Sequence, residues 1–271
     1  MVNDIKTIRI IEKWYKRLDF PERYDKEFYD ALASITVDSS ITAEEYNLKE
    51  TDGKKNFLYF LYFCEDLERR YKEKGIGEEI LLDTLSDMPR WLDIWSDLKG
   101  SLYFGELEDW FIWIFRMKLF KIGRLEYCMT KCDRDIPQKG ISKGDNIIGI
   151  HIPAAGPLLK EDCKKSLDMA RDFFDKYYPH FKYSYFTCSS WLLDETLDEI
   201  LDKNSNILNF QKLFEMVGKV EADNIIRYVL RWKAQRNEVA DIVPRNSFAK
   251  KVKELILDGR VFYSGTGVIK K

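Results

Sequence analysis

The chain has 271 residues, 45% of them hydrophobic and 33% charged, with a net charge of −2. That length and apolar content support one large domain or two modest ones with packed cores. The balanced charge lacks the electrostatic footprint of a duplex nucleic-acid binder or a polybasic membrane anchor, so neither nucleic acid nor a membrane is an expected partner.

The opening, MVNDIKTIRIIEKWYKRLDF, is charged throughout and lacks the continuous apolar core of a secretory signal, which predicts a cytoplasmic protein. From Asp4 to about Phe120 the periodicity is helical. Ile5, Ile8, Ile11, Trp14, Tyr15 and Leu18 form one stripe. The run FLYFLYFC over 57–64 is the longest apolar stretch and far shorter than the roughly 20 residues that cross a bilayer, so it predicts a buried helix. Trp91, Leu92, Trp95 and Leu98 make a further apolar face before the Gly100 break, after Pro21 and Pro89 have punctuated the region. Glu106, Glu108 and Asp109 open an aromatic helix through Trp110, Phe111 and Phe115, where acidic residues complement the helix dipole and the aromatics predict core packing.

After Gly123 the pattern changes, and two domains are expected, a helical one over 1–121 and a mixed one over 122–271. Residues 125–129 read as a short strand, 133–145 as a polar loop and 147–151 as a second strand. A helix over 160–177 and a strand ending near Cys188 complete a strand–helix–strand crossover. Beyond it the sequence predicts a short helix at 194–201, a strand at 207–217, helices at 222–233 and 247–257, and a terminal hairpin turning at Gly265 and Gly267. The fold class is α+β. Five cysteines, unevenly spaced, read as free thiols, and the Cys128/Cys132 pair has only His151 and His180 to complete a zinc site, so no metal is expected.

The segment 144–174 carries the most chemistry. Gly156 permits an unusual backbone angle and Pro157 suits a first helical turn, so amides of the loop Ala154, Ala155, Gly156 and Leu158 can face an anion. His151 lies at the C-terminal end of its strand, the edge where ligands collect in open α/β sheets. It reads either as a proton acceptor or as a histidine satisfied by a backbone carbonyl. His180, at a turn beside Pro179, reads as surface. Cys188 ends the next strand, and the crossover admits a Cys–His pair with an activated thiolate, or else a small buried hydrophobe. Ser189 and Ser190 are hydroxyl candidates or caps, and Trp191 is a candidate wall for a substrate or a core residue. Asn204, Ser205 and Asn206 read as a turn.

At HIPAAGPL, SLDMARDFF, CSSWLLD and SNILNFQKLFEMVG, with PRWLDIW in the helical third, the chain resembles bacterial acyltransferase-like proteins. These join an N-terminal helical domain to a C-terminal domain related to the GNAT N-acyltransferases. The resemblance implies an acyl-coenzyme A co-substrate with its pyrophosphate on the 152–159 loop, and a small-molecule or peptide amine as acceptor. It implies His151 as base, Cys188 as a pocket residue or acyl carrier, and Ser189 and Trp191 on the substrate side. The usual GNAT loop reads Arg or Gln, two residues, Gly, one residue, then Gly or Ala. Aligned on Gly156, this chain has His151 and Ala154 at the first two positions, which supports the alternative of a non-catalytic binding protein on a degenerate GNAT-like domain.

Overall fold

The protein is described by a computed structural model covering residues 4–46, 52–104, 108–154 and 156–271. It divides into two compact units, one of residues 1–122 with 126–128, the other of 123–125 with 129–271.

The first unit carries helices α1 (Ile5–Arg17), α2 (Asp25–Ser34), α3 (Gly53–Lys74), α4 (Glu78–Leu85), α5 (Asp87–Lys99) and α6 (Glu108–Phe115), followed by strand β1 (Leu119–Ile122). Asp4 caps α1 by accepting from the Thr7 amide at 2.8 Å, and Asp52 caps α3 through the amides of Lys54 and Lys55, which satisfies helix-end donors that would otherwise lack partners. The FLYFLYFC run is the middle of α3, with Phe57, Phe60 and Cys64 wholly buried. Edge-to-face rings join it to its neighbours: Phe104 meets Phe60 at 5.0 Å and Trp95 at 5.1 Å. On the outer side of α3 the nearly buried Glu68 accepts from Arg17 at 2.8 Å and Lys13 at 3.0 Å. Burial alone would raise the Glu68 pKa, but these partners and Lys72 outweigh it and hold the carboxyl down to about 2.

The second unit holds most of the sheet. Strand β2 (Leu125–Lys131) has residues in both units, followed by β3 (Asn146–His151), α7 (Lys160–Tyr177), β4 (Tyr185–Ser190), α8 (Asn206–Gln211), β5 (Glu215–Glu221), α9 (Ser247–Leu257) and β6 (Tyr263–Lys270). The six strands run in the order β1-β2-β3-β4-β6-β5. β3 and β4 are parallel through the α7 crossover, with Ile148 opposite Phe186 and Gly149 opposite Thr187, while β6 runs antiparallel to both β4 and β5. Strand alternation sorts the faces. Ile148, Ile150, Phe186 and Cys188 point into the side covered by α7, whose Arg171 lies over the Phe186 ring at 5.6 Å. Ile147, Tyr185 and Val268 point to the other side, where Cys132, Ile136 and Ile141 close a small core. A second core of Leu197, Ile226, Val239, Val252 and Phe262 fills the space around α9.

Three sequence expectations are corrected. The 207–217 strand is instead helix α8 followed by β5, because Ser205 accepts from the Leu208 amide at 3.2 Å and starts a helix whose Leu208 and Phe210 are buried. The 222–233 helix shrinks to a single π-helical turn, Ile226–Leu230. The terminal hairpin does not exist, since Gly265 and Gly267 lie inside the one strand β6. Their small size serves close approach: a Cβ on Gly265 would lie 2.1 Å from the Leu193 carbonyl oxygen, and one on Gly267 2.7 Å from Phe214 Cβ.

Gly265→Ala is therefore expected to lower the unfolding free energy by about 1–3 kcal/mol, the usual cost of overpacking, as measured by chemical denaturation. Gly218→Ala on the neighbouring strand, where a Cβ meets nothing within 4 Å, is expected to change it by less than about 0.5 kcal/mol.

Candidate functional site

The C-terminal ends of the parallel pair form the candidate site. Among the described residues the β3–β4 register covers Ile148↔Phe186 and Gly149↔Thr187, yet β3 runs on to His151 and β4 to Ser190. The paired register of the two strands ends at Gly149 and Thr187, and their last residues lie at the edge where open α/β sheets hold ligands.

The loop 152–159 borders this edge. Pro153 and Leu158 are buried, Ala154, Gly156 and Pro157 are exposed, and Ala155 lies outside the described residues. Gly156 has φ +66°, the left-handed region that favours glycine. Arg124, at the turn after β1, holds the loop from one side. Its Nε donates to the Pro157 carbonyl at 3.0 Å, its Nη1 to Pro153 at 3.0 Å and its Nη2 to Gly156 at 3.2 Å. One guanidinium thus gathers three carbonyls and brings a fixed positive charge to the loop. The sequence carries no signal for this contact, since an arginine beside a turn glycine has no spacing relation to a loop that lies two strands further along the chain.

Helix α7 begins where the loop ends. Leu159 gives it no side-chain cap, and its first backbone bond runs from the Cys163 amide to the Leu159 carbonyl at 3.0 Å, so the amides of the preceding turn lack helical partners and suit an anion. Glu161 and Asp162 occupy that turn and oppose a bound anion.

His151 and Cys188 are not brought together. His151 shares the face of Gly149 and Thr187, whereas Cys188 shares that of Phe186, so the sheet lies between their side chains. The expected Cys–His pair is therefore absent from this geometry. Burial pushes the Cys188 thiol up to about 12 and keeps it protonated. Low-polarity surroundings lower the His151 imidazole to about 4, although the residue as a whole keeps some solvent contact, and the ring is neutral at physiological pH.

On the His151 face of β4, exposed Ser189 shares a hydrogen bond with Thr266 of β6 at 2.9 Å between hydroxyl oxygens. Ser190 instead accepts from the Leu192 amide at 3.2 Å and caps the turn Trp191–Leu193. Trp191 is half-buried and stacks on Tyr228 at 6.5 Å and 19°, and Tyr228 meets Trp232 at 5.5 Å. Beneath this aromatic row the buried Asp194 accepts from the Thr196 amide at 3.0 Å and the Tyr263 amide at 2.8 Å, which fixes the chain leaving β4. His180 is exposed in its turn. All five cysteines are free and buried, and among the described residues no group of three or more His, Cys, Asp or Glu could hold a metal ion. No described helix is long and apolar enough to cross a membrane.

The His151 ring is expected to titrate near pH 4 by NMR of its carbon-bound protons, and a midpoint near its ordinary 6.5 would contradict its burial. Because the unfolded chain takes up this proton at higher pH than the folded one, the contribution of His151 to stability is full above about pH 6.5 and declines as the pH falls toward 4.

Comparison with known proteins follows the two units. Residues 119–269 match the GNAT-like C-terminal domain, and residues 6–117 match the N-acyltransferase N-terminal domain. Among solved structures, an acyltransferase in complex with decanoyl-CoA is 25% identical with a TM-score of 0.68, covering 79% of this chain. The chain spans 65% of that structure's length, just under two thirds. An acyltransferase in complex with decanoyl-CoA and teicoplanin is 21% identical with a TM-score of 0.76, covering 96% of this chain and 87% of its own. Another, in complex with CoA and 10C-teicoplanin, is 20% identical with the same score and coverage. A comparison with curated proteins returned no match. The chain belongs to the family of the GNAT-like C-terminal domain, here preceded by an N-acyltransferase N-terminal domain.

Proposed function

We propose that the protein is an N-acyltransferase that moves an acyl group from acyl-coenzyme A to an amine. The observation that carries this reading is the edge where the β3–β4 register ends at Gly149 and Thr187, bordered by a loop whose carbonyls Arg124 gathers to one side. Solved structures of the same fold that hold decanoyl-CoA or CoA support a thioester donor, and the one that also holds teicoplanin supports a small-molecule acceptor.

In this reading Gly156, Ala154 and the first turn of α7 receive the pyrophosphate, with Arg124 supplying charge from behind the loop. Leu158 anchors that loop in the core. The acyl thioester lies along the ends of β3 and β4. The neutral acceptor amine attacks the thioester carbonyl, a C–N bond forms, the C–S bond breaks, and the thiolate leaves. Backbone amides at these strand ends polarise the carbonyl as its oxygen gains charge. The proton shed by the nitrogen goes to neutral His151, whose low basicity suffices once bonding to carbon has made that nitrogen acidic. The Ser189–Thr266 hydroxyl pair orients the acceptor, and Trp191 offers it an aromatic wall. Cys188 takes no covalent part, because its thiol is protonated and on the opposite face. Five free thiols favour a reducing compartment, the cytoplasm.

A second reading, a binding protein without turnover, draws on Glu161 and Asp162 in the first turn of α7 and on the weak basicity of His151. Calorimetric titration with CoA and decanoyl-CoA, followed by an amine panel, separates the two. Micromolar binding, weakened at least tenfold by Gly156→Glu and accompanied by amide formation, is the expected result. Binding without turnover across the panel favours the second reading, and no binding to the wild type contradicts both. Cys188→Ala is expected to retain full turnover, and an acyl-enzyme trapped on Cys188 would overturn direct transfer.

A further inference from the structure

A cavity of about 690 Å³ opens at the other end of the parallel pair, where β3 and β4 begin. Its walls come from the last residues of β2 and β6, the loop before β3 and the segment before β4. Four lysines line it, Lys131, Lys139, Lys182 and Lys270, against one carboxylate, Asp145. Asp145 already accepts from the Ser142 amide at 2.8 Å, and Lys139 pairs with Glu215. Among the described residues no carboxylate lies within ion-pair distance of Lys131, Lys182 or Lys270, in contrast to Lys139 on the same wall. Four lysines against Asp145 and the Lys139-bound Glu215 leave a local excess of two positive charges in a chain of net charge −2, which favours an anion there.

The walls are held in place. The Cys132 amide donates to the Asp145 carbonyl at 2.8 Å, Asn146 Nδ2 to the Lys182 carbonyl at 3.0 Å, and the Lys271 amide to the Ser184 carbonyl at 3.0 Å. Buried Ile141 and Ile147 belong to the small core beneath. The lysine stems therefore rise from a preformed frame. Lysine acts as a point charge that suits phosphate, and the volume falls in the range of small-ligand pockets.

We propose that this cavity is a second anion site, separate from the acyl-transfer edge, that takes a compact polyphosphate. The phosphate chain is the shared chemistry of free polyphosphate and of a nucleoside triphosphate. The site does not depend on the reading of the other edge, which holds different residues at the opposite ends of the same strands.

Calorimetric titration of sodium tripolyphosphate into the full chain presaturated with CoA tests it, with ATP as a parallel arm. The expected result is saturable binding that weakens at least tenfold in Lys182→Glu/Lys270→Glu and falls with added salt. Both lysines are exposed and unpaired, so the variant should keep the wild-type circular dichroism melt and the wild-type affinity for CoA. Lys131→Ala/Lys182→Ala gives a second test without charge reversal. Tighter binding of ATP assigns the ligand to nucleotides, and equal or tighter binding of tripolyphosphate assigns it to free polyphosphate. Absence of saturable binding, binding unchanged in both variants, or loss of binding when CoA is present would each overturn the site. Failure of CoA to bind would count against the acyl-transfer reading alone.

Discussion

The parallel pairing of β3 with β4 is the constraint on which the rest depends. Two parallel strands cannot be joined by a tight turn, so the chain must cross over, and α7 is that crossover. The crossover puts the end of β3, the loop, the start of α7 and the end of β4 at one edge. The β3–β4 register stops at Gly149 and Thr187 while both strands continue, so that edge carries the ends of both strands beside the loop. On its far side β6 runs antiparallel to β4 and makes the sheet continuous, with Gly265 and Gly267 small enough to let Leu193 and Phe214 lie close.

Electrostatics at this edge come more from backbone and burial than from a cluster of charged side chains. Arg124 spends its donors on three carbonyls, so it acts as a brace that also leaves its charge behind the loop. Burial drives His151 and Cys188 in opposite directions along the pH scale but to the same result, a neutral group at physiological pH. Neutral groups suit a reaction in which an uncharged amine meets a thioester. In the helical unit the balance is reversed: Glu68 is nearly buried yet stays ionised because three cations surround it.

Much of the fold was legible where one period dominates. The 160–177 and 247–257 helices match α7 and α9 residue for residue, and the FLYFLYFC run sits in the middle of a buried helix. Legibility failed where short segments carry mixed signals. Ile207, Leu208 and Phe210 look like a strand until the Ser205 cap is weighed, and Gly265 with Gly267 looks like a turn unless the neighbours that need the space are known. At the site, the loop and the strand ends could be placed from sequence because they follow from local order. The Arg124 brace and the opposite faces of His151 and Cys188 could not, since the first is a contact between distant segments and the second needs the register of the sheet.

Hydrogen–deuterium exchange of the protein with and without decanoyl-CoA reports where the donor sits as well as whether it binds. Slowed exchange is expected only in peptides covering 152–163 and 187–191, the loop, the first turn of α7 and the end of β4. Protection elsewhere with none at these two segments would contradict that placement of the donor.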